Sequence, residues 1–196
     1  MLGIGDRSYR LLAPGDIPAA RAHLEAFDTE DLFHHFHQFM EPEHFDAWAE
    51  RALGHDLVGC FEKGRLVGMA EIAYDGPESE IALSVDPARR RHGIGTQLFE
   101  RACARARSRG ALRAAVLIAR GDRPMIDLAV RHDGFTAYKR GESLIMPGVR
   151  HSLLTWLIFD LEHMPPTDLF GRAVRSVRVA LGLDKDRSTA DLRSRD

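Results

Sequence analysis

Residues 85–96 read Val-Asp-Pro-Ala-Arg-Arg-Arg-His-Gly-Ile-Gly-Thr, and they constrain the chain more than any other stretch. The segment just before them, 80–85, alternates and is rich in Ile, Leu and Val, which predicts a strand. Pro87 ends that strand, a basic turn follows, and a helix opens on Gly93-Ile94-Gly95. The first N–H groups of a helix have no partner within it, and the helix dipole adds positive charge there. Glycine lets a ligand approach the backbone because no Cβ intrudes. Strand, basic turn and glycine-opened helix together predict a phosphate site. It is not a P-loop, since no Gly-Lys-Ser/Thr occurs. It is not a dinucleotide fingerprint either, because Leu98 stands where the third glycine belongs.

The helix that opens there is expected over 93–109. Ile94, Leu98, Ala102 and Ala106 repeat every four residues, Phe99 and Cys103 widen the stripe, and Gly110 ends it. Arg101, Arg105 and Arg107 take much of the opposite face. Other strands are expected over 8–13, 56–62, 65–74, 114–118, 135–139 and 152–161. Lys63-Gly64 reads as a hairpin turn between the second and third. Helices are expected over 17–26, with Asp16 as its cap, then 31–40, 42–53 and 124–131. Strands and helices alternate but hairpins also occur. The fold class is therefore α/β (α+β), a mixed sheet flanked by helices.

The chain has 196 residues, enough for one domain with an appendage. We expect a domain over 1–164. Beyond Pro165-Pro166 comes a tail, 165–196, with an amphipathic helix at 173–183 and a polar end. That helix is expected to pack on the domain or on a second copy in a homodimer. A net charge of -2 gives no reason to expect nucleic acid or an anionic membrane as partner. Cys60 and Cys103 are too few for a disulfide framework, and the first residues show no signal peptide. The expected location is cytoplasmic.

Residues 90–95, Arg90-x-x-Gly93-x-Gly95, resemble the coenzyme A loop of the GNAT superfamily of N-acetyltransferases, whose pattern is Gln/Arg-x-x-Gly-x-Gly/Ala. Glu80 to Val85 looks like that family's fourth strand, and Leu66-Val67-Gly68 like its third. Asp122-Arg123-Pro124-Met125, Leu128-Ala129 and Gly134-Phe135 look like its later Asn-x-x-Met, Leu-Ala and Gly-Phe segments. The resemblance spans residues 9–161. It implies a mixed, mostly antiparallel sheet splayed at strands 4 and 5, with acetyl-CoA as co-substrate and no metal. It places pantetheine on the backbone of Leu83 and Val85. The pyrophosphate falls on Arg90, Arg91, His92, Gly93, Ile94, Gly95 and Thr96. Asp122, where relatives carry Asn, keeps an acceptor and loses a donor.

The resemblance also makes Glu80 the general base for an amine acceptor, either a protein lysine or a small molecule, with Glu71 as the alternate. Many relatives protonate the leaving thiolate with a tyrosine where this chain has Val130; Tyr138 is a poor substitute. His34, His35 and His37 lie in a stretch similar to the Arg-Phe-Phe segment of Pat-type protein acetyltransferases. Their spacing does not suit zinc, and the segment is expected on a helix edge or on the acceptor side. The competing reading is a non-catalytic coenzyme A-binding regulatory module.

Overall fold

The computed structural model describes residues 7–36, 39–119, 122–132, 135–137, 154–161 and 164. Seven strands form one sheet in the order β1-β2-β3-β4-β5-β7-β6. They are β1 (Arg7–Leu11), β2 (Asp56–Glu62), β3 (Arg65–Asp75), β4 (Glu78–Val85), β5 (Arg113–Ala119), β6 (Phe135–Ala137) and β7 (Leu154–Asp160). The helices are α1 (Ile17–Leu24), α2 (Thr29–Phe36), α3 (Phe45–Ala52), α4 (Ile94–Ser108) and α5 (Arg123–Arg131). Every described strand pair is antiparallel except β4 with β5.

That parallel pair is short. Glu78, Ser79 and Glu80 pair with Arg113, Ala114 and Ala115, and no pairing continues beyond them. Yet β4 runs on to Val85 and β5 to Ala119. The two strands therefore part after Glu80, and a V opens near the middle of the sheet. The expected splay at strands 4 and 5 is present.

The two faces of the sheet have different cover. Ile72 and Ile81 pack with Leu98, Phe99 and Ala102 of α4 and with Ile126 and Leu128 of α5. On the other face Leu57, Phe61 and Met69 pack with Leu24, Phe36 and Trp48 from α1, α2 and α3. The β3–β4 register sets Met69 opposite Ser84 and Glu71 opposite Ala82. Ser84, Ala82 and Glu80 thus lie on the α1–α3 face, while Val85, Leu83 and Ile81 lie on the α4 face.

Local expectations hold where backbone chemistry decides them. Lys63 and Gly64 both have positive φ, 50° and 79°, as a tight hairpin turn requires. Gly110 at φ 89° ends α4. Asp16 is a correction: it sits at the N-cap of α1 but its carboxylate makes no cap bond. It accepts instead from the Ala13 amide and from both terminal nitrogens of Arg10. A bidentate guanidinium competes successfully for the same oxygens. The arginines of α4 are also not a simple solvated face. Arg105 grips Asp56 at 2.8 and 2.9 Å, and Arg101 stacks on Tyr9. The tail helix expected at 173–183, the ends of the last two expected strands, His37 and Tyr138 lie outside the described residues.

Candidate active site

A cleft of about 1150 Å3 follows the V. Leu83, Ser84 and Val85 of β4 form one wall, and α5 and the segment before it supply Asp122, Arg123, Met125 and Arg131. The floor is the turn into α4, and Ala26, Phe27, Asp28, Glu30, Asp31 and His35 line the opening. Of the sequence-predicted residues, Leu83, Val85, Arg90, Arg91, Gly93, Ile94, Gly95, Thr96 and Asp122 line the cleft. His92 and Glu80 do not.

The turn is built by two left-handed residues, Arg91 at φ 65° and Gly93 at φ 79°. Gly93 is the N-cap of α4, and no side chain caps that end. The first amides of a 15-residue helix consequently face the cleft without a side-chain partner at the cap. Gly95 differs: a Cβ there would meet only Val85 Cγ2, at 3.6 Å. The protein itself would tolerate a side chain at Gly95, so its absence serves the open space of the cleft.

The three arginines of the turn have different commitments. Arg89 is bound to Glu62, which also takes Arg7. Arg90 donates through Nε to the Val85 carbonyl at 3.2 Å and pairs with Asp31 of α2 at 2.7 Å. Arg91 is 77% exposed at its side chain and lies 4.0 Å from Asp127. His92 folds onto its own turn, with Nδ1 2.7 Å from the Arg90 carbonyl, and its own carbonyl accepts from Arg7. Asp122 caps α5 by accepting from the Met125 amide at 3.2 Å. In that use the loss of an amide donor relative to Asn does not matter.

Sequence reading missed Arg123 and Arg131, which bring two more cations from α5 to the cleft. Their spacing with Asp127, four residues each way, already places all three on one helix face.

Glu80 occupies the fork as the last residue of β4 paired to β5, and it is 4% exposed. Its side chain lies on the α1–α3 face together with Glu71, 3% exposed. His55, just before β2, sets Nδ1 2.8 Å from Glu71 Oε1. The Glu71 bond raises the His55 pKa, opposed by partial burial and reinforced by the charges of Glu71 and Glu80. Further along, His23 of α1 lies buried with Nε2 2.9 Å from Ser84 Oγ. Burial lowers His23 to about 3, so it stays neutral. His35 places Nδ1 3.2 Å from the Leu83 carbonyl.

A sheet that parts above a glycine-opened helix terminus leaves an elongated cleft with backbone amides at one end. The chain belongs to the acetyltransferase (GNAT) family, whose model matches residues 21–135, and it is an acyltransferase of that family. Solved structures agree on the fold. The yncA protein of Salmonella typhimurium, determined with its cofactor acetyl-CoA, is 21% identical with a TM-score of 0.60, covering 84% of this chain and 100% of that one. The GNAT domain of S. lividans PAT is 16% identical with a TM-score of 0.63, over 78% and 89% of the two chains. An N-acetyltransferase from Staphylococcus aureus Mu50 is 19% identical with a TM-score of 0.60, over 80% and 99%. No curated protein matches in sequence. Members of the family use acetyl-CoA. Among the described residues no metal-binding group occurs, and no helix is long and apolar enough to cross a membrane.

Proposed function

We propose that this chain moves the acetyl group of acetyl-CoA to a primary amine, a protein lysine or a small molecule, by direct attack in a ternary complex with Glu80 as general base. The observation that carries the reading is the position of Glu80 at the fork where β4 and β5 part. Pantetheine laid along β4 at Leu83 and Val85 brings the thioester toward that fork. The pyrophosphate rests on the amides that open α4, with Arg91 beside it. His35 and Arg90 now hold the Leu83 and Val85 carbonyls, so the arm would displace them where it pairs with the same atoms.

An alkyl ammonium has a reference pKa near ~10.4, so presenting it uncharged at neutral pH costs roughly 4.6 kcal/mol. Glu80 accepts one proton, directly or through water, and the freed lone pair attacks the thioester carbon. The tetrahedral oxyanion takes a backbone N–H from the unpaired part of β4. Collapse breaks the C–S bond, the nitrogen passes its second proton through water to the sulfur, and coenzyme A leaves as a thiol. Val130 occupies the position where many relatives have a tyrosine acid, so water supplies that proton.

Glu80→Gln tests the base. Turnover is expected to fall at least 100-fold, with acetyl-CoA affinity unchanged; wild-type turnover would refute the assignment. Tight acetyl-CoA binding without thiol release across an amine panel would instead favour a non-catalytic coenzyme A-binding module.

A further inference from the structure

We propose that Glu71 binds the ammonium group of the acceptor, with His55 as a built-in counter-ion. This rests on the reading of Glu80 as base for where the amine must lie. Glu71 is buried, yet only one of its oxygens is used. Oε1 takes His55 at 2.8 Å, while Oε2 has no hydrogen-bond partner among the described residues. A buried carboxylate oxygen without a donor is costly and rare in a folded protein.

Its surroundings select the missing donor. Glu71 pairs with Ala82, so Glu80 is its diagonal neighbour on the same face. That spacing, about 7–8 Å along the sheet, lets two carboxylates bracket one small cation. Charge points the same way. The groups facing His55 are Glu71 on β3 and, by its field, Glu80 on β4. Two carboxylates on one face attract an ammonium, which a neutral hydroxyl acceptor does not match. An ammonium also has three N–H donors. One goes to Glu80, which removes that proton, and another stays on Glu71 Oε2 while the nitrogen attacks. His55 touches no substrate; it is a positioning residue that fixes the Glu71 rotamer and offsets its charge.

The experiment uses the full chain saturated with coenzyme A and n-butylammonium as probe. The His55 imidazole is titrated by NMR. Butylammonium is expected to lower its pKa by half a unit or more, whereas tetramethylammonium, which has no N–H, leaves it in place. In Glu71→Gln both the resting elevation and the butylammonium response should vanish. Equal responses to the two cations, or a response that survives in Glu71→Gln, would overturn the proposal. In turnover with butylamine, Glu71→Gln and His55→Gln should raise the amine KM at least tenfold and leave acetyl-CoA affinity alone. Loss of turnover in Glu80→Gln with a wild-type amine KM in both other variants would sink this inference and spare the base. A normal rate in Glu80→Gln with the NMR responses intact would do the reverse. His55→Gln keeps a donor for Glu71, so it serves if Glu71→Gln does not fold.

Discussion

Arg90 of the coenzyme turn reaches Asp31 of α2 across the mouth of the cleft, Nη2 to Oδ1 at 2.7 Å. The pair sets a carboxylate against a cation of the very motif expected to meet phosphate. Asp31→Asn should therefore tighten acetyl-CoA binding about two- to fivefold at low ionic strength, the range of a partly exposed ion pair. Titration calorimetry reads this directly. Weaker binding would mean that Asp31 holds Arg90 in its working place.

Arg89 and Arg91 should separate structure from binding. Arg91 is the less committed cation, so Arg91→Ala is expected to weaken acetyl-CoA about tenfold or more and to reduce the salt dependence of binding. Arg89→Ala breaks the contact with Glu62 and should leave affinity within about twofold. Equal losses would show that Arg89 leaves Glu62 when the coenzyme arrives.

Gly93 and Gly95 divide in the same way. A side chain at Gly93 meets nothing within 4 Å but sits at φ 79°, so Gly93→Ala should cost about 1–2 kcal/mol of stability from backbone strain. Gly95→Ala carries no such strain and should unfold like the wild type, yet bind acetyl-CoA less well. Urea unfolding and calorimetry on both variants check the contrast.

Acid stability should depend on Asp56. Burial would raise its pKa, but the bonds from Arg105, Tyr74 and Arg109 outweigh that and hold it at about 2. The folded value lies below the unfolded one, near ~3.9. Its contribution is thus complete above pH ~4 and is lost as pH falls toward 2. Asp56→Asn should be about 1–2 kcal/mol less stable at pH 7, with the gap closing below pH ~4. A gap independent of pH would assign the loss to packing.

Legibility from sequence followed the range of the interaction. The Lys63-Gly64 turn, the stripe of α4 and the glycine-opened terminus are set within a few residues, and each could be read. Asp16 misled because its cap role competes with Arg10, six residues earlier, and the sequence does not rank the two. The Glu71–His55 pair joins the residue before β2 to the middle of β3, and only the β2–β3 register brings it together. The parting of β4 and β5 was expected from the family resemblance, not from composition, and its place after Glu80 is set by the β4–β5 register. Arg123 and Arg131 share a helix face with Asp127 by spacing, but spacing alone does not say that this face turns to the cleft.

Three residue pairs join the two halves of the sheet at the β4–β5 seam, with Ser79 Oγ adding a bond to the Arg113 carbonyl at 3.1 Å. One core cluster also spans the seam, running from Ile72 and Ile81 through Leu98 of α4 to Val116 and Phe159. The half formed by β1 to β4 carries Glu80 and Glu71, and α5, which follows β5 in the chain, carries the opposite wall. The angle at which β4 and β5 leave this seam fixes their separation beyond it, so a residue such as Ser79 sets the spacing of a reaction it never touches.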